Sequence, residues 1–331
     1  MLRLAALAAA LAAVAWYPVK RFCAGGAVDP ALLAKPLDGS VWVVTGANAG
    51  IGYETALQLA RQNATVVLGC RNAARADAAA AAIRALAPHA TVVPLELDLA
   101  RLASVDTFAF EVLGRFARLD GLVNNAGVML PSPVGRTADG FELQIGVNHL
   151  GHFYLTALLT PRLVASAPSR VVIVSSRASE HGDLSALEDD LDWAAGLPGS
   201  WLANARAYCD SKLANALHAR ALATRLRGTR VTVAAVHPGA VRTQLFRDVP
   251  LLGAYADTLL APVTHALMKS AWQGAQTTLY AALDDAVVPA NSGGYYSDAR
   301  LVRAHANPQA RDDALASRLW DASRELVGLA S

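Results

Sequence analysis

Ser40-Val-Trp-Val-Val-Thr45 is short, apolar and rich in β-branched residues, which suits a buried strand. It runs straight into Gly46-Ala-Asn-Ala-Gly50-Ile-Gly52 and then into a helical stretch over 53–62. A strand, a glycine turn and a helix in that order leave few architectures open. Glycines permit the tight turn, and backbone N–H groups at the start of the helix form a place for a phosphate. Gly46, Asn48, Gly50, Ile51 and Gly52 are therefore candidate contacts for the pyrophosphate of a dinucleotide. The plainer alternative is an ordinary glycine-rich connection.

The same alternation recurs along the chain. Further strands are expected at 65–69, 91–97, 119–123, 170–174, 230–236 and 294–297. Helices are expected at 73–86, 102–116, 141–164, 203–226, 271–283 and 314–327. Strands alternating with helices imply an α/β fold with a doubly wound parallel sheet. The chain has 331 residues, and 54% of them are hydrophobic. That is enough for one large domain with a sizeable core. A net charge of +2 is too small to suggest a nucleic-acid surface. Cys23, Cys70 and Cys209 are scattered and odd in number, so neither a disulfide framework nor a metal site is expected, and a reducing compartment fits. His149 and His152 lack a third ligand, so no metal is expected there.

Strand ends carry the remaining candidates. Cys70-Arg71 closes the second strand where an acidic residue would bind both ribose hydroxyls of NAD. Arg71 instead suits a 2′-phosphate, because its planar fork matches phosphate oxygens. A solvated loop arginine is the alternative. Asp98-Leu99 follows the third strand, where Asp98 would reach an adenine or cap the next helix. Asn124-Asn125-Ala126-Gly127 follows the fourth, Ser175-Ser176 the fifth, and His237-Pro238-Gly239-Ala-Val241-Arg-Thr243 the sixth. Asn148 in an apolar helix needs a partner if buried.

Tyr208 and Lys212 lie four apart in the expected helix over 203–226, hence on one face. No other Tyr has a Lys four positions on, and the chain has only four Lys: Lys20, Lys35, Lys212 and Lys269. A fixed cation near a phenol favours the phenolate and moves its pKa towards the working range. An ordinary surface pair is the alternative until a hydride carrier is found nearby.

Outside this framework lie three segments. Residues 4–17 carry no charge and are followed by Lys20-Arg21. A helix over 4–19 would span about 24 Å, short of the ~30 Å hydrocarbon core. A signal-anchor over 1–21, a cleaved signal peptide and an interfacial helix all fit, with the anchor preferred and 22–37 read as a linker. Residues 177–206 read as an inserted loop with a short helix. The apolar stretch 245–272 suits a substrate lid, a membrane-facing patch or core helix.

These motifs together resemble the short-chain dehydrogenase/reductase family over roughly 36–297. The match rests on Thr45-Gly46-x-x-x-Gly50-x-Gly52, Asp98-Leu99, Asn124-Asn125-Ala126-Gly127, Asn148, Ser176, Tyr208-x-x-x-Lys212 and Pro238-Gly239. Cys70-Arg71, Val147-Asn-His-Leu-Gly-His-Phe153, Ala207-Tyr-Cys-Asp-Ser-Lys-Leu-Ala-Asn215, His237-Pro-Gly and Arg318-Leu-Trp-Asp resemble its retinol dehydrogenase branch. The resemblance implies a Rossmann-like single domain over 38–331 behind the N-terminal hydrophobic anchor.

The resemblance also implies roles. Tyr208 would exchange a proton with the substrate oxygen, and Ser176 would hydrogen-bond that oxygen, with Ser175 the fallback. Lys212 would bind the nicotinamide ribose and lower the Tyr208 pKa. Asn148 would hold a water between Lys212 and solvent. Gly46, Gly50 and Gly52 would cradle the pyrophosphate. Asp98 and Asn125 would contact the cofactor on the adenosine side, Pro238, Gly239, Val241 and Thr243 on the nicotinamide side, and Leu99, Ala126 and Gly127 would also bind it. NADP is the implied cofactor. Many NADP users in the family carry a basic residue just before the second glycine, whereas this chain has Ala49, so the preference rests on Arg71. The implied partners are a hydrophobic alcohol or aldehyde, foremost retinol or retinal, and a lipid bilayer. The implied location is the endoplasmic reticulum membrane with the domain facing the cytosol; a mitochondrial membrane is the alternative. Steroids, polyprenols and lipid aldehydes are competing substrates. The rival class is a catalytically silent dinucleotide-binding relative, which has no chemical need to keep Asn148, Ser176, Tyr208 and Lys212 together.

Overall fold

A computed structural model describes residues 25–130, 135–188, 201–242 and 268–329. Its first strand, β1 (Val41–Thr45), is buried at every position, as expected for a parallel strand covered on both faces. The other parallel strands are β2 (Thr65–Cys70), β3 (Val92–Glu96), β4 (Gly121–Asn124), β5 (Ser169–Val174), β6 (Val231–His237) and β7 (Gly294–Ser297). A short β8 (Arg300–Leu301) pairs antiparallel with β7. Their order is β3-β2-β1-β4-β5-β6-β7-β8. Because β1 pairs with both β2 and β4, the winding reverses there, which opens a crevice at the carboxyl ends.

Helices cover both faces. On one, α1 (Gly50–Arg61), α2 (Ala73–Leu86) and α6 (Ala271–Leu283) bury Leu59, Ile83 and Leu279 against Val44, Val66 and Val236. On the other, α3 (Leu102–Arg115), α4 (143–165) and α5 (Trp201–Arg225) bury Phe108, Leu155 and Leu222 against Val43, Val67 and Val233. The last helix, α7 (Asp313–Leu326), seats Leu315 and Leu319 on Leu213 and Leu217 of α5. Side-chain caps set several starts: Asn72 for α2, a Ser270–Gln273 capping box for α6 and Asp312 for α7.

The structure departs from the expected elements at several points. The single helix expected over 141–164 is α4, composed of Leu143–Ile145, a widened turn at Gly146–Leu150 and Gly151–Ala165. Such one-residue expansions favour functional positions, and this one carries Asn148. Within the expected loop over 177–206, short turns form at Arg177–His181 and Ser185–Glu188, and α5 already begins at Trp201. β8 is an addition to the expected strands, since two residues give no periodic signal. Residues 25–37 lie against the domain: Val28 is buried, and Leu32, Leu33 and Leu37 pack on the core. The 1–21 segment, most of the apolar 245–272 stretch and residues 189–200 of the expected loop lie outside the described residues. Among those described, no helix is long and apolar enough to cross a membrane.

The core tolerates little added volume at β4. A Cβ at Gly121 would stand 2.1 Å from two atoms of the buried Trp42 ring. Gly121→Ala should therefore destabilise the protein by about 1–3 kcal/mol, read as a lower denaturant midpoint at unchanged slope.

Candidate active site

At the crevice, the turn from β1 to α1 is built on glycines that other residues would strain. Gly46 and Gly50 have φ of +65° and +58°, the left-handed region. A Cβ on Gly52 would stand 2.4 Å from Asn125 Nδ2 and 2.5 Å from the Gly46 carbonyl. α1 starts on Ala49 without a side-chain cap, so its first N–H groups face the crevice with no side chain answering them. Asn48 and Ile51 are half-buried beside this turn. Arg71 is exposed just past β2, whose Gly69 carbonyl accepts the Gly46 N–H at 2.7 Å.

The end of β1 is tied to its neighbours by one hydroxyl. Thr45 Oγ1 accepts from the Asn125 and Ala126 N–H groups at 2.9 and 3.0 Å. Its own proton then points to His152 Nε2, 2.8 Å away. That leaves the His152 proton on Nδ1, which donates to the Asn148 carbonyl at 3.1 Å. Burial holds this imidazole neutral, pushing its pKa down to about 4. Asn125 Nδ2 also donates to the Thr45 carbonyl at 2.8 Å. His149 turns the other way, to Ser323 of α7 at 2.8 Å. The two histidines thus serve different elements, and among the described residues no group of side chains could hold a metal.

Asn148 is fully buried. Its Oδ1 accepts from the Val128 N–H at 2.8 Å, and its Nδ2 donates to the Val128 carbonyl and Ser211 Oγ, both at 3.0 Å. The carboxamide is engaged by these protein partners and fixes the 127–128 segment beside α5. Asp98 is half-buried, and its Oδ1 accepts the Ala100 N–H at 3.1 Å; it does not cap α3, which starts on Arg101, whose side chain makes no capping bond. Leu99 is buried, with its carbonyl close against Gly151 of α4.

Three functional side chains meet where α5 crosses the end of β5. The Ser176 side chain stands near enough to the buried Tyr208 phenol to favour its ionised form. Lys212 Nζ lies 5.7 Å from the Tyr208 ring centre and donates to the Val174 carbonyl at 3.3 Å. A Cβ on Gly127 would stand 3.5 Å from Lys212 Nζ, so Gly127 lines this spot. Ser175, the fallback, is structural instead. Its Oγ donates to the Lys212 carbonyl at 2.6 Å and fastens α5 to β5. Tyr295, which the sequence did not single out, donates to the Ser176 carbonyl at 3.0 Å.

Burial dominates the electrostatics. It pushes the Tyr208 phenol up to about 12, against the opposing effect of the nearby Ser176 side chain. It also pushes the Lys212 ammonium down to about 8. In the protein by itself burial outweighs the lowering of the Tyr208 pKa expected from Lys212. Both groups are desolvated, which disfavours the charged form of each.

Opposite the glycine turn, Pro238 is buried, Gly239 has φ +92°, and Val241 is buried. Val241 and Ile51 both close on Gly274 of α6, at 2.6 and 3.1 Å from where its Cβ would be. The segment after β6 is thereby joined to the glycine turn. Thr243 lies outside the described residues. A glycine turn that a Cβ would strain, an uncapped helix start and a buried ammonium with a single backbone acceptor among the described residues fit a dinucleotide.

Comparison with known proteins agrees with this geometry. The family described as short chain dehydrogenase matches residues 40–186. Dehydrogenase/reductase SDR family member 13 of Bos taurus is 47% identical over 294 residues, covering 88% of this chain and 74% of that protein. Retinol dehydrogenase 12 of Homo sapiens is 44% identical over 313 residues, covering 94% and 92%. A solved chain from Beutenbergia cavernae, described as an NAD(P) dependent gluconate 5-dehydrogenase with bound NADP at low occupancy, superposes with a TM-score of 0.60. It is 26% identical and covers 80% of this chain and 96% of that one.

The buried ammonium has a stability signature. Lys212 titrates at about 8 when folded, against an ordinary lysine value of 10.5. Folding therefore opposes the charge below pH 8, and the cost fades as pH rises from 8 towards 10.5. Lys212→Met should stabilise the protein by about 2–3 kcal/mol at pH 7. Asn215 Nδ2 still serves the Val174 carbonyl at 3.1 Å, so nothing is orphaned. The gain should shrink in denaturation curves taken above pH 8.

Proposed function

The chain belongs to the short-chain dehydrogenase family, in the branch of the retinol dehydrogenases, and from that premise we propose that it moves a hydride reversibly between NADP(H) and a hydrophobic alcohol or aldehyde. The observation that carries this reading is the placement of Ser176 beside the buried Tyr208 phenol, with the Lys212 ammonium buried next to them.

A bound nicotinamide supplies or accepts the hydride. The chain does the rest. Ser176 and Tyr208 donate hydrogen bonds to the carbonyl oxygen of an aldehyde, which stabilises negative charge developing there. Tyr208, neutral well above physiological pH, passes its proton to the forming alkoxide. Lys212, charged below about pH 8, stabilises the phenolate left behind. Oxidation of an alcohol reverses these steps. Asn148, His152 and Thr45 hold the segment facing Lys212 without touching the reacting atoms.

The NADP preference is supported by the exposed Arg71 past β2, by the lack of an acidic residue there and by the neighbour solved with NADP. Ala49 gives it no help. Retinol and retinal are the preferred substrates because of the human relative's activity as named. Steroids, polyprenols and lipid aldehydes form the second reading, left open by the bovine relative, whose name specifies no substrate. The uncharged run before Lys20-Arg21 supports an anchor that leaves the domain on the cytosolic face of a membrane such as that of the endoplasmic reticulum.

Tyr208→Phe should lower turnover by at least about 100-fold, the scale of one positioned acid, while NADPH binding measured by fluorescence stays intact. Retained turnover would remove Tyr208 from the acid–base role. Arg71→Asp should raise the Michaelis constant for NADPH by about tenfold, the loss of a charge-assisted bond, and spare NADH. An unchanged cofactor preference would reject the phosphate-pairing role. A panel of retinoids, steroids and lipid aldehydes then separates the substrate readings.

A further inference from the structure

Lys269 has no part in the chemistry described above, yet it is one of four lysines and only 5% exposed. Its Nζ meets Asp298 Oδ1 at 2.6 Å. Its backbone pairs with the segment after β6: Lys269 N donates to the Ala240 carbonyl at 2.8 Å, and Arg242 N donates to the Lys269 carbonyl at 2.9 Å. Its stem lies against Gly239, where a Cβ would stand 2.7 Å from Lys269 Cε. Lys269 thus grips the 239–242 segment through both backbone and side chain.

Asp298 is itself held from several sides. With Ala299 it forms the two-residue link between β7 and β8, at φ of +51° and +54°. Turns of that shape favour Asn-Gly, and a residue such as Ala adopts it only where its surroundings over-determine it. Those surroundings are visible. Ala299 N donates to Thr277 Oγ1 of α6 at 3.2 Å, and Gly26 is pressed against the Asp298 carbonyl, 1.9 Å from where a Cβ would be. Lys269 is buried but the Asp298 side chain is 37% exposed, so the pair adds little stability compared with apolar packing. What it supplies is a fixed distance between the hairpin tip and the segment that Lys269 grips.

That segment faces the reacting side of the crevice. His237 Nδ1 accepts both the Gly239 N–H at 3.3 Å and the Arg177 N–H at 3.1 Å, which links it to the residue after Ser176. Arg71 and Asp98 lie across the sheet at the ends of β2 and β3. We propose that the Lys269–Asp298 pair is a positioning clasp that holds the Pro238–Val241 segment for the nicotinamide half of the dinucleotide. This rests on the dinucleotide reading above.

The test compares two probes on the full chain by calorimetric titration. NADPH carries both halves, while adenosine 2′,5′-bisphosphate lacks the nicotinamide. Lys269→Met keeps the stem against Gly239, and Asp298→Asn keeps a residue that tolerates positive φ. Each variant should weaken NADPH binding by about tenfold, the scale set by lost pre-organisation. Each should leave the bisphosphate within about twofold of wild type. Unchanged NADPH affinity in both variants would overturn the clasp. Equal weakening of both probes would reduce the pair to general structural support and overturn it too. A wild-type chain that bound neither NADPH nor NADH would overturn the dinucleotide reading itself, an outcome distinct from the other two.

Discussion

The structure is arranged around one uncomfortable fact, an ammonium group placed under the end of a parallel strand. Lys212 is only 4% exposed, and burial pulls its pKa down to about 8. Charge in such a place is costly unless something holds it there. Much of the local architecture does so. Ser175 fastens the Lys212 backbone to β5, the Val174 carbonyl receives its Nζ, and Asn215 braces the same carbonyl. Gly127 leaves space in front, and Asn148 holds the 127–128 segment in register with Ser211 of α5.

A second network carries this arrangement across the sheet. The Thr45 hydroxyl joins the end of β1 to the start of the loop after β4, and His152 continues the chain of bonds to the Asn148 carbonyl in the widened turn of α4. The glycine turn and the lysine therefore sit on one connected scaffold. Because the winding reverses between β1 and β4, that scaffold spans the crevice where ligands of such sheets bind. The segment after β6 closes it from the far side, where Val241 and Ile51 meet over Gly274.

Much of this was legible in the sequence, for physical reasons. The run Ser40–Thr45 into Gly46–Gly52 has a period and a composition that only a strand and a tight turn satisfy. The four-residue spacing of Tyr208 and Lys212 becomes proximity on any helix. Other features could not be read because they depend on partners distant in sequence. His152 looked like half of an absent metal site, yet its partner is Thr45, far back in the chain. Adjacent serines carry the same local signal, and only packing separates Ser175 on the Lys212 backbone from Ser176 on Tyr208. The sign of the Tyr208 shift was also hidden, because spacing reports a nearby cation but not the depth of burial that outweighs it. The 25–37 segment read as a linker from its prolines, while its contact with the core rests on Val28 and three leucines.

If the Lys212 ammonium is held for a dinucleotide, binding should supply the acceptors it lacks and draw its pKa back up. Calorimetric titration of NADPH in buffers of differing ionisation enthalpy at pH 8 to 9 counts the protons exchanged. The wild-type chain should take up a fraction of a proton on binding, and Lys212→Met should take up none. Binding without proton uptake, or uptake that persists in the variant, would contradict that role for the buried lysine.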